Sequence, residues 1–175
     1  IKLKILNASH SAIAYIGLLH NFTYVHEAIA DIKIKSFINK YLDNDVLPNL
    51  KVKDDFNISA YKKSVIERFT NSILKHRLDQ IATDGSLKIP IRIMSTYLNR
   101  IKESKYCYTE TIIASWIFYL KSVSLNGKKI HVYDTNLSGL KEFLKLNEEE
   151  MINGILSVKK IFNFEGEKKK KFIEN

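Results

Sequence analysis

Cysteine is nearly absent from this 175-residue chain: Cys107 stands alone, which excludes an internal disulfide and any thiolate cluster for a structural metal. That usage is compatible with a reducing compartment, and a cytoplasmic setting is expected. Glycine and proline are also scarce, at six and two residues. No GxGxxG or GxxxxGK turn occurs, so the chain carries no nucleotide-binding fingerprint of its own. The longest apolar run, Thr111 to Leu120, is about ten residues, too short to cross a bilayer. No basic-then-apolar leader opens the chain. His20, His26, His76 and His131 are scattered without HExxH spacing, which argues against a metal site.

What is present is apolar and basic. A hydrophobic content of 45% argues against disorder and is enough for one domain with a sizeable core. The net charge of +9 raises the possibility of nucleic acid, but no stacking aromatics interleave the lysines, and four of them sit together at Lys168 to Lys171. Residues 166–175 are expected to be an exposed basic tail. The first residues, from Ile1, already read as helix, as in a piece of a longer protein.

Helical periodicity dominates. Lys2 to Leu19 reads as one mostly apolar helix in which Gly17 permits close packing. Further helices are expected over Val25–Ala30, over Ile32–Leu42 before the Pro48 break, and through Tyr61, Val65, Phe69 and Ile73 as far as His76 or Leu78. Asp84-Gly85-Ser86 reads as a turn, with Pro90 restricting the chain beyond it before a helix over Ile91–Ile101. Tyr108–Val123 reads as a buried helix, Asn126-Gly127 as a turn, and Leu137–Leu146 and Glu149–Val158 as short amphipathic helices. The expected fold is mostly α and multi-helical.

Lys2, Asn7 and His10 put an ammonium, an amide and an imidazole beside this apolar surface. On an α-helix Asn7 lies about 140° and His10 about 80° from Lys2, so the three share one arc, although Lys2 stands about 12 Å below His10. A lysine in low-dielectric surroundings near an imidazole suits general-base chemistry, and an amide can donate to an oxygen that gains charge. Pattern alone leaves the plainer readings open: a solvated lysine, a capping asparagine, a satisfied partly buried histidine. Ser9 and Ser11 lack a nucleophile-elbow context.

The stretch KLKILNASHSAIAYIGLL resembles the start of the carboxy-terminal domain of the polyol-specific long-chain dehydrogenase/reductase family. The likeness continues through TYVHEAI, YKKSVIERFTNSILKHRLDQIATDGSLKIPIRI, IIASWIFYL and GKKIHVYDTNLSGL, which together span most of the chain. Its specificity lies in K-x4-N-x2-H-S followed by RF-x-N and DG-x2-K-[IL]-P. The block LNASHS looks like the mannitol 2-dehydrogenase and fructuronate reductase branch.

The resemblance implies a helical substrate-binding domain over residues 1–175, of the 6-phosphogluconate-dehydrogenase-like C-terminal type. It would act with a preceding Rossmann-type domain that binds NAD or NADP. It also implies roles: Lys2 as general base, Asn7 as one of an oxyanion-stabilising pair, His10 as a substrate donor that helps hold the lysine, and Lys88 as a contact to substrate hydroxyls. Gln80 stands where some members carry a substrate-binding arginine, and Ser72 where a proline is common. The implied substrates are a polyol and its ketose, or an aldonate and its keto-uronate. A non-enzymatic helical interaction domain and a basic nucleic-acid binder are the alternatives; failure of Lys2, Asn7, His10 and Lys88 to converge would favour the first.

Overall fold

The computed structural model describes residues 1–52, 54–100 and 107–163. Among these the chain is all helical and holds no β-sheet, only two isolated antiparallel bridges, Tyr24 with Arg77 and Val123 with Lys129. The expected basic tail lies outside the described residues.

A π-helical turn over Leu3–Asn7 runs directly into α1 (Ala8–Leu19). Then follow α2 (Val25–Ala30), α3 (Ile32–Tyr41), a second π turn over Leu42–Val46, α4 (Ile58–Thr70), α5 (Leu78–Ala82) and α6 (Gly85–Arg92). Next come α7 (Met94–Arg100), α8 (Tyr108–Leu120), α9 (Leu137–Leu140) and α10 (Glu148–Leu156). None is long and apolar enough to cross a membrane.

Helices α1 and α8 form the centre. Both are apolar on nearly every face and buried accordingly, with Ile13, Tyr15, Ile112, Trp116 and Tyr119 fully enclosed. Gly17 lets α1 approach its neighbours: a Cβ there would stand 2.7 Å from Leu78 Cδ1 and 3.1 Å from Ala28 Cβ. The outer helices α3, α4 and α10 are amphipathic and begin on side-chain caps. Asp31 accepts from the amides of Lys33 and Ile34, and Asn147 accepts from that of Glu150.

Three sequence expectations change. Helix α4 stops at Thr70, because the Asn71 side chain accepts the amide of Ile73 at 2.9 Å and offers the backbone a turn in place of the helix. Ile73 is therefore 86% exposed rather than part of the core stripe, and Ser72 lies in that turn. The Asp84-Gly85-Ser86 turn is reduced to Asp84, whose left-handed backbone precedes a helix that already includes Gly85 and runs through Pro90 to Arg92. Ile101, the expected end of the next helix, lies outside the described residues. The four-residue α9 and a 3₁₀ turn at Phe143–Lys145 replace the single helix expected over Leu137–Leu146.

Two polar networks fix elements that are far apart in sequence. Asp134 accepts from the amide of Ser86 at 2.8 Å, from its hydroxyl at 2.5 Å and from the amide of Asn136 at 3.0 Å, which anchors the start of α6. Asp45, fully buried, accepts from the amide and hydroxyl of Thr109, both at 2.7 Å, and from the thiol of Cys107 at 3.1 Å, with the Arg100 guanidinium 3.4 Å away. It ties the second π turn to the start of α8.

Candidate functional site

The amino-end segment is not a uniform α-helix. The amide of Ala8 donates to the carbonyl of Leu3, five residues back, so the turn is one residue wider than an α turn. A turn of that width makes the angle between residues five apart, such as Lys2 and Asn7, smaller than the about 140° of an α-helix. The wide turn carries Ile5 and Leu6 into the core while Lys2 and Leu3 stay in solvent. Lys4 is half-buried in this turn and hydrogen-bonds the Ser95 hydroxyl on α7; burial lowers its ammonium below the ordinary lysine range. Turns of this kind recur at functional sites.

His10 sits one turn further along, on α1. Its ring packs on Phe69 of α4 with centroids 4.6 Å apart, and against His76 at 6.0 Å. His76 is held there because its carbonyl accepts the Val25 amide at 3.0 Å, in the bridge region that joins α2 to the segment before α5. His10 Nε2 is buried without a hydrogen-bond partner among the described residues. Burial first, then the charges of His76, Arg68 and Arg92, lower the imidazole to about 4. It is neutral at pH 7 and free to donate or accept.

Lys88 lies on α6. Its ammonium donates to the Ile81 carbonyl and the Thr83 hydroxyl, both at 3.1 Å, and the Thr83 hydroxyl donates to the Gln80 carbonyl at 3.0 Å. Burial, then the neighbouring Arg92, lowers Lys88 from its ordinary value. Gln80 itself is exposed on α5 and joins this group only through its backbone.

Arg92, one turn beyond Lys88, connects the two halves. Its Nη1 donates to the Asn7 carbonyl at 3.3 Å and to the Ser11 hydroxyl at 3.0 Å. Arg92 thus touches the Asn7 backbone and lies near enough to His10 and Lys88 for its charge to lower both, while Lys2 is exposed ahead of the wide turn. Sequence reasoning missed Arg92; its signal was the four-residue spacing from Lys88 on a helix. It also missed Lys4, His76 and Arg68, which act on the site through space and not through a motif.

The cations and the neutral imidazole suit an oxygen that becomes negative. Among the described residues no group of three or more His, Cys, Asp or Glu could hold a metal ion. An apolar groove of about 580 Å³ lies elsewhere, between α1, α3 and α8, and none of the candidate residues lines it.

The model of the mannitol dehydrogenase C-terminal domain matches residues 1–175. The chain belongs to that family. Mannitol 2-dehydrogenase of Phaeosphaeria nodorum is 33% identical over 174 residues, covering 99% of this chain and 30% of the relative. Mannitol 2-dehydrogenase of Emericella nidulans is also 33% identical, covering 99% and 34%. The ternary complex of Pseudomonas fluorescens mannitol 2-dehydrogenase with NAD and D-mannitol matches with a TM-score of 0.88 at 27% identity, over 99% of this chain and 35% of that one. A substrate-free D-sorbitol dehydrogenase structure, 24% identical with a TM-score of 0.85, supports the same fold. The chain spans about a third of the length of these mannitol 2-dehydrogenases.

Proposed function

We propose that the chain is the substrate-binding and catalytic domain of an NAD(P)-dependent dehydrogenase that interconverts a polyol with its ketose, or an aldonate with its keto-uronate. The fold is of the 6-phosphogluconate-dehydrogenase-like C-terminal type. The observation that carries this reading is the Arg92 tether, which joins the Asn7–Ser11 segment to the helix bearing Lys88. Similarity to mannitol 2-dehydrogenases supports it.

The dinucleotide does not fit this chain alone. Pyrophosphate binding of the Rossmann type needs a strand, a glycine turn and a helix, and the described residues contain no sheet. The cofactor, which exchanges hydride with the substrate, is assigned to a domain of the same protein outside this chain.

The residues present divide the remaining work. Lys2 takes the proton of the reacting hydroxyl during oxidation and returns it during reduction. The Asn7 amide donates to that oxygen as charge develops on it. His10, neutral, is assigned the hydrogen bond to the substrate. Lys88 binds neighbouring hydroxyls, and Gln80 contributes from the rim. A cytoplasmic location suits the single buried thiol.

The test is a substrate panel (mannitol, arabinitol, mannonate and their oxidised partners) with both nicotinamides, using the full-length protein and its Lys2→Ala variant. The wild type is expected to turn over at least one pair. Lys2→Ala is expected to lose about 100-fold or more at neutral pH while remaining folded. Unchanged turnover in the variant would refute the base assignment, and a wild type inert to the whole panel would refute the dehydrogenase reading.

A further inference from the structure

We propose that Arg92 is a positioning residue: its guanidinium ties α6 to the Asn7 carbonyl and the Ser11 hydroxyl, and so fixes how the Asn7 amide and the His10 ring meet a substrate. The inference rests on the dehydrogenase reading above and deepens it.

The two acceptors are 85 and 81 residues from Arg92 in sequence and one helical turn from each other. One nitrogen, Nη1, reaches both, at 3.3 and 3.0 Å, and therefore spans the junction where the π turn becomes α1. His10 lies between the two anchored residues. Ser11 is fully buried and Arg92 half-buried, so the contact is shielded from water. A rigid, planar guanidinium sets direction as well as distance, which a lysine ammonium on a flexible stem does not. Lys88 stands one turn earlier on the same helix, so the tether also sets the spacing between Lys88 and the Asn7–His10 segment. Misplacement of reacting groups by about 1 Å costs on the order of 100-fold in rate.

Arg92→Met, Arg92→Lys and Ser11→Ala in the full-length protein test this. For Arg92→Met the expected result is a kcat lower by about 30- to 100-fold, with KM for the polyol within about threefold. Arg92→Lys is expected to recover only part of the loss, Ser11→Ala to lose less than Arg92→Met, and added guanidinium to restore Arg92→Met several-fold. A purely structural arginine predicts lower stability with unchanged kcat per folded active site, and that outcome overturns the proposal.

A second readout does not depend on turnover. With histidine labelled for NMR, removing the guanidinium is expected to move the His10 midpoint upward from about 4, because a positive neighbour is lost. An unmoved midpoint also overturns the proposal. If Arg92→Met fails to fold, Arg92→Lys and Ser11→Ala carry the kinetic arm, and a normal kcat in both overturns it. If the wild type turns over nothing in the panel, the dehydrogenase reading fails, and the titration still reports whether Arg92 lies against the Asn7–His10 segment.

Discussion

Replacing His10 with leucine removes a titratable group that the fold keeps neutral. An ordinary imidazole titrates near 6.5, while burial and the surrounding cations lower this one to about 4. Between those values the unfolded chain binds the proton and the folded chain does not. Acidification therefore favours unfolding, and the stabilisation present above pH 6.5 is lost as pH falls toward 4. With one pKa unit equivalent to about 1.4 kcal/mol, moving from pH 7 to pH 5 costs about 2 kcal/mol. That figure is a ceiling, since the ring is partly exposed and solvent screens it.

The assay is urea unfolding of the wild type and His10→Leu, followed by circular dichroism at pH 5, 6 and 7. The difference between the two isolates His10, because other titrating groups contribute to both. Changed packing against Phe69 shifts the variant by the same amount at every pH. The wild type is expected to lose 1 to 2 kcal/mol more than the variant, to order of magnitude, on going from pH 7 to pH 5. Parallel pH profiles would refute the claim that His10 is held neutral by its surroundings.

Gly85→Ala is expected to destabilise by about 3 kcal/mol, since a Cβ would stand 2.1 Å from Trp116 Nε1 and 2.7 Å from the Tyr15 hydroxyl, both fully buried. Thermal unfolding and the tryptophan fluorescence of the native state measure this, and an unshifted melting temperature would contradict it. Asp45→Ala strips the acceptor from the buried Thr109 amide and hydroxyl and is expected to cost about 2 to 4 kcal/mol, with Asp45→Asn milder. Urea midpoints of the two variants decide; a loss below about 1 kcal/mol in Asp45→Ala would show that the network contributes little.

Much of the helical order was legible because periodicity and caps agree. Val25–Ala30 emerges with the expected bounds, held at its start by Glu27, which accepts from the amides of Tyr24 and Thr23. Ile32–Tyr41 follows its cap, Asp31, and Asn126-Gly127 turns where glycine at φ 84° permits it. The failures share a cause: side-chain hydrogen bonds that periodicity does not register. Asn71 ends α4 early, and Asp134, some fifty residues away, lets Gly85 and Ser86 start a helix where a turn was expected. The candidate residues at the amino end were legible as a spacing, but their relative orientation was not, because the wide turn replaces the α geometry assumed for them. Arg92 escaped for a similar reason. Its partners are set by tertiary packing, which no local window contains.

The π turn at Leu3–Asn7 amounts to one residue too many for an α-helix, accommodated without disturbing the register of α1 against the core. Deleting a single residue within it would return the turn to ordinary α geometry and leave Ala8–Leu19 seated as before. Lys2 would then stand four residues from the asparagine instead of five, about 40° away around the axis, while every core contact of α1 survived. The head of this chain is thus a place where one residue of length can be lost with little change in the side of the helix that the lysine takes.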